Sequence, residues 1–83
     1  RNPMVEKVKS FLNEHWSNDS RVTSYHDIRI VDTENHHVIL FGINVNPEMS
    51  QSQIIECCNE LEESFAVFSK YEVNIKISHP FQY

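Results

Sequence analysis

Eighty-three residues, 40% hydrophobic and 23% charged, describe one small domain or a piece of something larger, and the chain is too apolar for disorder. So short a chain buries only about 60–65% of its unfolded surface, which predicts a stabilising partner: a metal, a second copy or a parent protein. Seven Lys and Arg against twelve Asp and Glu give a net charge of −5 with His neutral. The basic residues are scattered, which excludes the clustered patch that nucleic acid or an anionic membrane surface would need.

The longest apolar run, Val38–Ile43, has the length of a strand and falls far short of the roughly 20 residues of a spanning helix. The N-terminus carries no signal-peptide pattern, and it starts at Arg1 rather than Met, as a fragment would. The only cysteines, Cys57 and Cys58, are adjacent. Neighbours make a strained disulfide and offer no cross-linked framework, so the chain reads as reduced and intracellular.

The first predicted element is a helix over 3–16. Asn2 caps it, Pro3 suits its first position, and Met4, Val5, Val8, Phe11 and Leu12 recur at helical spacing. From Val22 to Asp32 the period becomes two, with His26, Ile28 and Ile30 expected on one face and Tyr25, Asp27, Arg29 and Val31 on the other. A polar turn leads to a second strand over 37–45. Its odd positions Ile39, Phe41, Ile43 and Val45 form one apolar face, and Val38 and Leu40 make the other side apolar too. Such a strand is expected to be central and covered twice. Two helices suffice for one face, so the other, bearing Val38 and Leu40, is expected to meet a second copy of the chain.

Ser50 followed by Gln53 predicts a capping box opening a helix over 50–69. Ile54, Cys58, Leu61, Phe65 and Phe68 are its expected apolar stripe. A last strand over 72–78 turns Val73, Ile75 and Ile77 inward and ends at His79-Pro80. The order αββαβ, with a right-handed crossover between the second and third strands, predicts an α+β sandwich of ferredoxin-like character: a three-stranded mixed sheet with both helices on one face.

Candidate chemistry is confined to five histidines and the cysteine pair. His15, His26, His36, His37 and His79 lack the i, i+4 or tight-loop spacing of a local metal site, so any site must be assembled across strands or between chains. His26 and His79, at strand ends, stand out. His36 and His37 point to opposite faces if extended. Cys58 lies on the apolar stripe and reads as packing, whereas Cys57 reads as a partly exposed thiol and a possible soft ligand. With Gly42 the only glycine there is no phosphate loop, and no nucleophile elbow is present. The chain is not expected to be an enzyme.

Taken in order, Tyr25-His26-Asp27-Ile28-Arg29-Ile30, then Asn44-Val45-Asn46-Pro47-Glu48-Met49-Ser50 before a Glu-rich helix, then Val73-Asn74-Ile75-Lys76-Ile77-Ser78-His79-Pro80, resemble one family. It is the cytoplasmic C-terminal domain of the cation diffusion facilitators, divalent-metal/proton antiporters. The similarity runs over nearly the whole chain. It implies a soluble domain on the cytoplasmic side of a membrane, attached to a six-helix transmembrane domain and paired as a V-shaped homodimer. Metal bound within or between the copies would close the dimer and favour transport, a population shift that requires tighter binding to the closed form. By the resemblance His26 matches a histidine that often ligates metal, and His79 stands where many members carry a carboxylate. The other ligand positions fall at Gly42 or Leu40, at Ile55 and at Ile77, which cannot bind metal. A reduced site is implied: His26 with His79, His36, His37 or Cys57, completed by water or by the second chain. Zinc, iron or manganese are the metals implied, and imidazole with water suits zinc, iron or nickel better than calcium. Within the family, a domain that only dimerises is the other outcome. Outside it stands a free-standing ferredoxin-like metal-binding or small-ligand-sensing module, which here lacks the M-x-C-x-x-C loop of soft-metal chaperones.

Overall fold

The computed structural model describes residues 2–78; His79, Pro80 and the residues after them lie outside that range. The elements are α1 (Met4–Trp16), β1 (Val22–Asp32), β2 (His37–Val45), α2 (Gln51–Ser64), a 3-10 turn (Phe65–Val67) and β3 (Glu72–Ser78). The sheet order is β1-β2-β3, antiparallel between β1 and β2 and parallel between β2 and β3. The protein is thus α+β with a three-stranded mixed sheet and two helices, compatible with a ferredoxin-like fold.

Local chemistry accounts for the helix ends. The Met4 amide donates to Asn2 Oδ1 at 2.8 Å. Ser50 and Gln53 form the reciprocal box, with the Gln53 amide on Ser50 Oγ at 3.2 Å and the Ser50 amide on Gln53 Oε1 at 2.8 Å. α2 ends at Ser64, five residues before the predicted Ser69. There the chain tightens into the 3-10 turn. Side chains three apart eclipse in that geometry, which turns both Phe65 and Phe68 toward the core.

One core holds the molecule together. Val8, Leu12 and Trp16 of α1, Ile54, Cys57 and Leu61 of α2, and Phe65 cluster with Ile39, Phe41, Ile43 and Val45 of β2. Both helices therefore cover the odd-numbered face of β2. Phe65 is its hub, with its ring centroid 4.9 Å from Phe11, 5.3 Å from Phe41 and 5.5 Å from Phe68. Trp16 Nε1 donates to Ser64 Oγ at 3.1 Å and joins the helices. The stripe of α2 departs from expectation: Cys57 is fully buried and Cys58 only half-buried. Ile54 to Cys57 to Leu61 is an i, i+3, i+7 stripe, as good a helical phase as the one through Cys58.

β1 departs more deeply. Its pairing runs His26 opposite Gly42 and then Arg29 opposite Leu40, so Asp27 and Ile28 together face the single residue Phe41. This is a β-bulge, and Asp27 takes it up with φ of 57°, a left-handed conformation that Asp tolerates better than most residues. One extra residue exchanges the faces of the residues before it, back to a second irregularity between Val22 and Ser24. Tyr25 joins Ile28 and Ile30 against the core, and His26 joins Arg29 and Val31 on the side away from the helices. The expected grouping of His26 with Ile28 and Ile30 is thereby corrected.

The bulge makes a prediction. Asp27→Val puts a β-branched residue at positive φ and should lower stability by about 1–2 kcal/mol, whereas Asp27→Gly should stay within a few tenths of the parent. Urea denaturation of the three proteins measures this, and equal midpoints would contradict the bulge.

Candidate functional site

The face of the sheet that the helices leave open can be written row by row from the strand register. Val31, Val38 and Glu72 lie side by side; next come Arg29, Leu40 and Asn74; then His26, Gly42 and Lys76; last Ser24, Asn44 and Ser78. Asn44 Nδ2 donates to Ser24 Oγ at 2.8 Å within the last row. The face has an apolar end, where Val31 is 42% exposed and Val38 and Leu40 are half-buried. It also has a cationic end, built by Arg29 and Lys76 with the His26 imidazole beside them.

At the cationic end the His26 ring lies over Gly42. A Cβ on Gly42 would collide with Cε1 and Nδ1 of the His26 ring as it stands. The imidazole in this position takes the space that a Cβ at residue 42 would fill. His26 Nδ1 is 3.2 Å from Asp27 Oδ2, and the Asp27 side chain is mostly exposed. Around them is a groove of about 400 Å³ lined by His26, Asp27, Arg29, Leu40, Gly42, Asn74 and Lys76 and by Phe41 and Ile75. Among the described residues neither Arg29 nor Lys76 has an ion-pair partner.

The other expected site residues lie elsewhere. His37 is on the helix-covered side at the far end of β2, five residues from Gly42 and so roughly 17 Å along the strand. Its Nδ1 is 2.6 Å from Asp32 Oδ1, and Tyr71 donates its hydroxyl to Asp32 Oδ2 at 2.5 Å. His36 is exposed in the turn, where its amide donates to Thr33 Oγ1 at 3.1 Å. His15 is exposed at the end of α1, its ring 4.7 Å from Phe11. The single chain thus does not bring His26 and His37 together. Cys57 is not the partly exposed thiol expected of it. It is sealed in the core, where burial pushes its pKa up, so the thiolate that a metal requires is disfavoured. His79 lies outside the described residues. Among the described residues no three His, Cys, Asp or Glu side chains gather closely enough to hold a metal ion, and no helix is long and apolar enough to cross a membrane.

Two groupings had no sequence-based expectation. Arg29 and Lys76 are 47 positions apart in the chain, and only the register sets them on one face. Asp32, His37 and Tyr71 form a hydrogen-bonded chain tying the hairpin end to the start of β3. A signal for the first existed in the apolar spacing Tyr25, Ile28, Ile30, which skips one step of a strict alternation.

Comparison with family models, with curated proteins and with solved structures finds no match to this chain.

The Tyr71 hydroxyl, and after it His37, hold the Asp32 carboxyl below the usual carboxylate range. A carboxylate more acidic in the folded than in the unfolded state stabilises above the unfolded pKa near ~3.9. That contribution disappears as pH falls through the lower folded value. Asp32→Asn should therefore reduce stability at neutral pH and flatten the loss of stability between about pH 5 and pH 2. Thermal midpoints of parent and variant across that range measure it; parallel curves would refute the arrangement.

Proposed function

We propose that this chain is the regulatory and dimerisation domain of a divalent-metal/proton antiporter, with a ferredoxin-like fold whose open sheet face meets that of a second copy. The observation that carries the reading is the apolar end of the open face. Val31, Val38 and Leu40 lie in adjacent rows beside the central strand, and the chain's own helices are spent on the opposite side. Support also comes from the motif order from His26-Asp27 to Ser78-His79-Pro80 and from an element order equal to the one that resemblance implies. In this reading the metal, zinc, iron or manganese, is held between copies, with His26 and His79 as the ligands the resemblance favours. Cys57 drops out because it is buried, and His36 and His37 are remote from His26. Arg29 and Lys76 beside His26 weaken that end for a divalent ion, so dimerisation is the part of the reading that geometry supports best. A free-standing small-ligand-sensing module is the second reading, favoured by the groove at the cationic end.

Sedimentation equilibrium tests the dimer. The parent should self-associate, and Leu40→Glu should weaken association by roughly tenfold to a hundredfold, because it places a charge in an apolar contact, with an unchanged far-ultraviolet spectrum. An unchanged dimer would move the interface elsewhere. Calorimetric titration of the metal-free domain with Zn²⁺, Mn²⁺ and Fe²⁺ tests the switch: binding should tighten the dimer, and His26→Ala with His79→Ala should abolish the effect. Equal affinity in the double variant would remove both residues from the site.

A further inference from the structure

We propose that the groove on the open sheet face binds a soluble phosphate-bearing small molecule. Arg29, Lys76 and the exposed edge of the His26 ring that covers Gly42 would hold the phosphate, and the rest of the ligand would lie along Leu40.

Charge is the first argument. The protein carries −5 overall, yet two permanent cations and an imidazole converge on this groove. Elsewhere a cation with carboxylates in reach pairs with them: Arg21 binds Asp19 and Glu60, each at 2.8 Å. Arg29 and Lys76 have no such partner among the described residues. Two carboxylates share their side of the sheet. Asp27 also lines the groove, one carboxylate against two permanent cations, and meets His26 at Nδ1, leaving Nε2 as the nitrogen not engaged by that contact. Glu72 is four residues from Lys76 along β3, roughly 13 Å away.

Shape is the second argument. The donors stand on the two outer strands, and the position between His26 and Lys76 is the one residue without a side chain. Outer strands are about 10 Å apart, so side chains can close on an anion from both walls. A guanidinium fork, an ammonium and an imidazole approach from different directions. That suits a tetrahedral oxyanion, whereas one fork alone satisfies a planar carboxylate. The groove's volume, about 400 Å³, is in the range of small-molecule sites and exceeds what phosphate alone fills, while Leu40 offers an apolar surface to an attached body. Two cations on an acidic chain are too few for nucleic acid, and the surrounding negative charge opposes docking on an anionic bilayer.

This inference goes beyond the dimerisation reading and does not rest on it: the phosphate would sit at the His26 and Lys76 end of the open face, Val31 and Val38 lie at the other end, and Leu40 is the residue both readings use. The test is titration of metal-stripped ¹⁵N-labelled protein with glycerol 3-phosphate, with acetate as the carboxylate probe and phosphatidylcholine vesicles doped with phosphatidic acid as the lipid probe. Glycerol 3-phosphate should shift the resonances of Arg29, Gly42 and Lys76. Arg29→Gln and Lys76→Gln should each weaken binding roughly tenfold or more, and Lys7→Gln, on α1, should leave it unchanged. Gly42→Ala, whose Cβ would displace the His26 ring, should weaken binding while retaining the parent's far-ultraviolet spectrum. No shifts in the groove, equal affinity for acetate, equal affinity in both glutamine variants, or co-sedimentation with vesicles without binding of the soluble probe would each overturn the proposal. Loss of phosphate binding with an intact dimer, or the reverse, separates this inference from the dimerisation reading.

Discussion

Everything in this fold hangs on the odd-numbered side of β2. Ile39, Phe41, Ile43 and Val45 are essentially inaccessible to solvent, and each other element is placed by what it contributes against them. α1 supplies Val8, Leu12 and Trp16, α2 supplies Ile54, Cys57 and Leu61, and the flanking strands hydrogen-bond to either edge. Phe65 fills the space where the two helices and the strand converge. A chain of this size has one such core and no material for another. The even-numbered side of the same strand, with Val38, Leu40 and Gly42, has neither helix over it.

The second determinant is the extra residue at Asp27. Without it, β1 would carry His26 toward the helices, and Tyr25 would face away. With it, the imidazole lies on Gly42, beside Arg29 and opposite Lys76 across the central strand. A conformation disfavoured for most residues, concentrated in a single φ angle, sets which side chains meet on the open face. The site and the bulge are therefore one feature, a common placement for bulges beside functional surfaces.

How much of this was legible follows from the kinds of signal involved. The three strands could be bounded from period and turn chemistry alone, because Asn, Asp, Pro and the capping box at Ser50 punctuate the chain where the backbone turns. The end of α2 was not, since Phe65 and Phe68 fit a continuing helix as well as the tighter turn that replaces it. The choice between Cys57 and Cys58 as the inward thiol was open for a similar reason: both fall within the apolar arc, and the direction from which β2 approaches decides it. Arg29 and Lys76 look scattered in sequence because pairing across three strands is a tertiary fact. The bond from Tyr71 to Asp32 spans 39 positions and has no local signature.

The topology also sets an order of assembly. β1 and β2 are joined by a four-residue connection, residues 33–36, so their hairpin can close locally, whereas β3 reaches β2 only after the chain has traversed α2, and such distant pairings form late because loop closure must come first. β3 is thus the last strand to join the sheet. Its first paired residue, Glu72, directly follows Tyr71, whose hydroxyl is fastened to Asp32 on the early hairpin. That single hydrogen bond acts as a clasp on the last strand to arrive. Amide exchange along β3 reports the clasp directly, since opening there exposes the parallel ladder without unfolding the hairpin.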